Sequence, residues 1–166
     1  MTTDTAAGVL ADMAATVDAA LSRLSDVVSG IGDGDLHLAS PGGGWTAAQV
    51  ISHINVCTLI WLGDLERLRQ DPQLDFFFRE EIGHDTVGYP PPTVDRARRQ
   101  LDSTRRTLAT CLPATDPAVV DRTVTIPDLG TYTVAGWLPI IIGHLIGHAE
   151  QAIDVLRSRD ALPEAV

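Results

Sequence analysis

His144 and His148 stand four residues apart in the run Gly143-His144-Leu145-Ile146-Gly147-His148. In a helix that spacing stacks both imidazoles on one face, one turn apart, where two nitrogens can reach a single ion. Leu145 and Ile146 make the surroundings apolar, and a buried imidazole needs a hydrogen bond or a metal to offset its desolvation. Gly143 and Gly147 weaken the helix but clear space beside each ring. No Glu follows His144, so this is not the HExxH helix of a metalloprotease. His53 lies in a second apolar setting, among Val50, Ile51, Ile54 and Val56. One His from one helix and a pair from another make three nitrogen ligands, the usual count for a catalytic ion with an open position. Neutral imidazoles suit zinc, nickel, iron or copper, and the pattern does not choose among them. Three core histidines bonded to carbonyls would show the same pattern, so residue types alone leave both readings open.

Other polar residues fall near this trio. Cys57 follows His53 by one turn on the same face, within reach of an ion or of a thiol substrate; otherwise a buried free Cys is a small apolar residue. Gln151 lies one turn beyond His148, placed to orient a substrate or water, or to sit at the bundle rim as an ordinary polar residue. Glu150 points away from the His148 face, so a direct ligand role is not expected. His37 and His84 fall in loops and are expected at the surface, His84 entering the site only if the 71–92 connection folds over it. Cys111, at a helix end, is assigned no role.

Four helices must position these groups. Residues 5–29 carry Val9, Leu10, Met13, Val17, Leu21, Leu24 and Val28 at steps of mostly three and four, and Gly30, Gly32 and Gly34 end the pattern. A loop follows over 30–44. The second helix opens at Thr46 with Gln49 three residues on, a capping box, flanked by Trp45 and Val50 as a hydrophobic staple, and runs to about Gln70 before Asp71-Pro72. The connection 71–92, with Phe76-Phe77-Phe78 inside it and Tyr89-Pro90-Pro91-Pro92 at its end, is long enough to carry function, although the Phe run is most simply a plug against the helices. Thr93 caps a third helix over 94–112, with Val94, Ala97, Leu101, Thr104 and Leu108 on one face. Its other face, with Arg96, Arg98, Arg99, Arg105 and Arg106 among Asp95 and Asp102, reads as a solvated surface. Pro113 ends it. Residues 121–126 and 130–134 suggest a small hairpin. Thr133 caps a last helix over about 134–158, with Tyr132 and Trp137 as its staple and Pro139 tightening or kinking its first turns. The fold class is all-α, a four-helix bundle with a small hairpin before the last helix, and bundles build ligand and metal sites between facing helices.

Composition narrows the function classes. The chain has 166 residues, one domain (1–166) by the usual size prior, with 45 % apolar and 20 % charged residues. A net charge of −10 disfavours nucleic acid and anionic membrane surfaces as partners. Cys57 and Cys111 are too few for a disulfide framework. The opening MTTDTAAGVLADM has neither the basic region nor the apolar run of a secretory signal, and the stretch from Tyr132 to Ile146 is too broken for a membrane span, so the expected location is the cytoplasm. All 12 basic residues are Arg, which reads as the coding bias of a GC-rich genome rather than a demand of folding.

The residues Trp45-Thr46-Ala47-Ala48-Gln49-Val50-Ile51-Ser52-His53, followed about ninety residues later by Gly143-His144-Leu145-Ile146-Gly147-His148-Ala149-Glu150-Gln151, resemble the DinB/YfiT-like superfamily of four-helix metalloproteins over nearly the whole chain. The resemblance implies a divalent transition metal (zinc, nickel or iron) on His53, His144 and His148. It also implies up-down-down-up topology with a long crossover after the second helix, and a homodimer. Characterised branches include mycothiol-dependent isomerases and bacillithiol- or mycothiol-dependent S-transferases, and the Arg-only, Ala-rich composition fits a high-GC bacterium of the mycothiol-making kind. The expected function is therefore a metal-dependent transferase or isomerase. It would take mycothiol as cosubstrate beside an electrophilic or isomerisable substrate, with Cys57 and Gln151 as candidate substrate contacts. No general base is identifiable. Many relatives have no known activity, so the alternative is a stress-related metal- or small-molecule-binding module without catalysis, which a fourth protein ligand such as Cys57 would favour. A metal-free interaction bundle is the third class.

Overall fold

The first helix, α1 (Thr3–Ser29), buries Leu10, Val17, Leu21, Leu24 and Val28 along one stripe. The computed structural model describes residues 3–39, 43–74, 86–126 and 130–158. The Phe76–Phe78 run, His84 and the middle of the 71–92 connection lie outside the described residues. Within the 30–44 loop, Asp33–His37 winds into a 3-10 turn that seats Leu36 in the core. Asp35 Oδ2 closes that turn by accepting from the Gly32 amide at 2.8 Å.

Helix α2 (Ala47–Gln70) opens on a reciprocal cap: Thr46 Oγ1 accepts from Gln49 N at 3.2 Å and Gln49 Oε1 accepts from Thr46 N at 2.8 Å. At its other end the Arg122 guanidinium donates to the carbonyls of Leu68 and Leu74, of Asp71 at 2.9 Å and of Pro72 at 3.2 Å. A cation on the orphan carbonyls of a helix C-terminus satisfies them and opposes the negative end of the dipole. Helix α3 (Val94–Cys111) is capped twice. Thr93 Oγ1 accepts from Arg96 N at 3.3 Å, and Asp33, from the 3-10 turn, accepts from Val94 N at 2.7 Å.

After α3 the chain forms a single helical turn, α4 (Pro117–Val120), which buries Val119 and Val120; Asp116 Oδ1 accepts from Ala118 N at 2.8 Å to start it. Strands β1 (Thr123–Ile126) and β2 (Gly130–Thr133) pair antiparallel, Thr123 opposite Thr133 and Ile126 opposite Gly130. Helix α5 (Val134–Ser158) follows β2 directly, and Thr133 Oγ1 accepts from Gly136 N at 3.1 Å as its cap. The helix continues through Pro139, which removes one amide donor from its second turn without ending it.

The four long helices close a ring in the order α1, α3, α2, α5. Asp33 at the exit of α1 reaches the entry of α3, and Asp18 pairs with Arg105 further along, so α1 and α3 are antiparallel. Asn55 Oδ1 accepts from Thr104 Oγ1 at 3.0 Å between two helices that run parallel, and that parallel step is what the long crossover after α2 serves. Arg122, joined to Leu68 on one side and through its carbonyl to Val134 N on the other, brings the end of α2 to the start of α5, which makes that pair antiparallel. The result is up-down-down-up. The described bundle core is mainly aliphatic, with Trp137 its largest fully buried side chain, edge-on to the buried Trp61 at 6.2 Å. No described helix is long and apolar enough to cross a membrane.

Two expectations change at this level. Arg105 does not stand on a solvated face: it clamps Asp18 of α1 through Nε at 2.7 Å and Nη2 at 3.1 Å, because it sits where the polar face of α3 meets a neighbour. The 30–44 connection is not a plain loop: it hides a short helical turn that buries Leu36, and α4, in a stretch to which the sequence assigns no element, likewise buries Val119 and Val120; both are too brief to show a period.

Candidate metal centre

His53 comes from the second turn of α2 and is buried, with 2 % of its surface exposed. Its Nδ1 stands 2.7 Å from the carbonyl oxygen of Thr86. A carbonyl can only accept, so Nδ1 carries a proton, and in the neutral ring that leaves Nε2 bare. His144 and His148 are half-buried on the face of α5 that meets α2, with ring centroids 4.4 Å apart. The structure brings all three rings together: one nitrogen of each lies within 4.8 Å of the other two, and the Nε2 atoms of His53 and His144 are 3.2 Å apart.

His148 is oriented by its neighbour, with Nδ1 at 2.7 Å from Gln151 Oε1, and an amide oxygen there favours the ring proton on Nδ1. Gln151 itself is exposed. Cys57 Sγ lies against the His53 ring, 3.4 Å from Nε2 and 3.7 Å from Nδ1, but the group of mutually close ligand atoms contains the three His and not Cys57. Glu150 turns outward and pairs with Arg23 of α1. His37 is exposed, its Nε2 at 3.3 Å from the Pro92 carbonyl, and it is not among the converging ligand atoms.

Two indoles wall the cluster. Trp45 lies over His53 at 4.8 Å and stacks along His148 at 5.9 Å, while Trp61 meets His144 edge-on at 5.2 Å. Reading Trp45 only as a helix staple missed this, although an aromatic just before the capping box, about two helical turns from a buried His, is a signal that could have found it; the sequence reading gives Trp61 no role. Thr86 was invisible to a reading of side-chain types, since it acts through its backbone. An open surface cleft of about 530 Å³ is lined by Trp45 and Gln151 together with Gly147, Glu150 and Asp154; the three His are not in its lining.

The donor set fits a divalent transition ion. Two nitrogens 3.2 Å apart match the edge of a tetrahedron, about 3.3 Å for bonds of about 2.0 Å. Two of the three rings have Nδ1 committed to an oxygen acceptor, the usual arrangement behind a coordinating imidazole. A wall of indole lowers the local dielectric and strengthens such bonds.

These features have a family. The model of the DinB superfamily matches residues 16–152, and the chain belongs to that superfamily. In fold it is similar to YfiT from Bacillus subtilis, described as a probable metal-dependent hydrolase with an unusual four-helix bundle topology: the two share 14 % identity over 97 % of this chain and 90 % of the other, with a TM-score of 0.69. No curated protein matches the chain at a significant level.

Proposed function

We propose that His53, His144 and His148 hold a divalent transition ion as its only protein ligands, and that the site serves metal-dependent activation of a small nucleophile. The observation that carries this reading is the convergence of three ring nitrogens within 4.8 Å, with no fourth His, Cys, Asp or Glu in the group among the described residues. A bound ion there supplies Lewis acidity, lowering the pKa of a coordinated thiol or water toward neutrality.

The chain's own residues supply the rest. Thr86 and Gln151 keep the His53 and His148 rings in the tautomer that offers Nε2. Trp45 and Trp61 exclude water from two sides of the cluster. The cleft lined by Trp45 and Gln151 is of a size to take part of a small metabolite. The finer reading is that the nucleophile is a low-molecular-weight thiol of the mycothiol type and the reaction a transfer or isomerisation. It draws on the chain's resemblance to a superfamily whose characterised branches include thiol-using enzymes, and on the Arg-only, Ala-rich composition expected of a mycothiol-making bacterium. A second reading follows the description of YfiT as a probable hydrolase, with water in place of the thiol.

One experiment separates them. Cobalt-substituted protein should develop a sulfur-to-cobalt charge-transfer band on adding mycothiol or a simple thiol, with affinity rising with pH while the thiol is protonated in solution. Turnover of an electrophile with that thiol supports the transferase. No band, together with ester or amide hydrolysis lost on chelation, supports the hydrolase.

A further inference from the structure

The chain returns across α2 at residues 86–88, and it does so at a distance only glycine permits. Gly88 has φ +69°, a left-handed conformation that side chains disfavour. A Cβ built on it would lie 2.5 Å from Val56 Cγ2 and 3.1 Å from Ser52 Oγ. Ser52 and Val56 flank His53 on α2, and Ser52 is completely buried. Two residues before Gly88, the Thr86 carbonyl accepts from His53 Nδ1 at 2.7 Å. The close approach at Gly88 and the hydrogen bond at Thr86 are thus two points of one contact between a backbone segment and the helix turn that carries His53.

We propose that Gly88 and Thr86 are positioning residues of the metal centre: the strap 86–88 lies flush on α2 because position 88 lacks a Cβ, and this brings the Thr86 carbonyl to the His53 ring, fixing the tautomer that presents Nε2 to the ion. The inference rests on the reading of His53, His144 and His148 as metal ligands. It goes beyond that reading by locating half of the control of His53 in a backbone segment 33 residues away in sequence. Arg96, Arg99 and Ser103 of α3 line a separate cleft with Tyr89 and Pro90 to Pro92.

The test compares wild-type protein with Gly88→Ala, using cobalt(II) as the probe, and reads metal affinity, the melting point of the metal-free protein, and solvent exchange of the His53 Nδ1 proton. A displaced strap should weaken cobalt binding about tenfold, in line with the loss of an outer hydrogen bond to a metal-ligating His. The Nδ1 proton should exchange faster, and the metal-free protein should melt within a few degrees of wild type. Unchanged affinity in Gly88→Ala overturns the proposal, and so does an affinity loss that merely tracks a large fall in the metal-free melting point. If Gly88→Ala does not fold, nitrogen-15 spectra of the zinc-loaded wild type read the same contact without a substitution. His53 protonated on Nδ1 and coordinating through Nε2 supports the proposal, and the opposite tautomer overturns it. Failure of the wild type to bind cobalt contradicts the metal reading itself, whereas wild-type binding with undiminished binding by Gly88→Ala contradicts the strap alone.

Discussion

His148 Nδ1 stands 2.7 Å from Gln151 Oε1, its neighbour three residues on along α5. An amide oxygen in that place favours the ring proton on Nδ1 and leaves Nε2 free for an ion. Gln151→Leu should therefore weaken cobalt or zinc binding about tenfold. Gln151→Glu, which keeps an acceptor in place, should bind within a few-fold of wild type. Equal affinity for the leucine variant in a competitive metal titration would place Gln151 with the rim residues instead.

Cys57 touches the His53 ring without joining the group of converging ligand atoms. Cys57→Ala should retain metal, and cobalt-loaded wild-type protein without added thiol should show no sulfur-to-cobalt charge-transfer band. Absorbance in the near ultraviolet decides this. A band that disappears in Cys57→Ala would make Cys57 a fourth ligand and turn the site into a closed, structural one.

Asp18 and Arg105 join α1 to α3 outside the metal centre, and the Arg105 guanidinium holds the Asp18 carboxyl below the usual aspartate range, its hydrogen bonds outweighing a small cost of burial. A carboxyl whose pKa is lowered by folding stabilises the folded state above its unfolded pKa. That contribution is lost as pH falls through the folded value. With both groups partly exposed, Asp18→Asn should cost about 0.5–1 kcal/mol at pH 7. Urea titrations from pH 7 downward should show the difference from wild type shrinking below about pH 4. A difference that is constant with pH would show that the charge is not what matters.

Arg122 donates to four carbonyls at the end of α2 while its own carbonyl receives the first amide of α5. Arg122→Ala leaves those carbonyls to water or to nothing and should destabilise the fold by about 2–3 kcal/mol. Arg122→Lys, with a point charge and no fork, should recover less than half of that. Urea unfolding of the three proteins measures both values.

The helices were legible because each announces its own start and stripe. Thr46 with Gln49, Thr93 and Thr133 all cap where their side chains suggested, and of the apolar steps in the first helix Leu10, Val17, Leu21, Leu24 and Val28 turn inward and Met13 partly so, while Val9 is exposed. The proximity of His53 to the His144–His148 pair is a tertiary fact. Spacing stacks the latter two, but only the α2–α5 packing brings the first within 4.8 Å. Contacts made by backbone atoms, such as the Thr86 carbonyl on His53, leave no trace in residue types. Residues at the margin between a polar face and a neighbouring helix, such as Arg105, look solvated in periodicity because a helical pattern shows faces and not what stands opposite their edges.

The central claim is that one ion is held by His53, His144 and His148 and by no other side chain. Metal content per chain after reconstitution with zinc or cobalt, measured beside the melting of the metal-free proteins, tests it most directly. One ion per wild-type chain is expected, with less than about a tenth of that in each of His53→Ala, His144→Ala and His148→Ala. All three variants should melt as metal-free proteins within a few degrees of wild type, because the bundle is held by aliphatic packing. Full occupancy in any one of the three variants, or a wild-type protein that takes up no ion, would contradict the account.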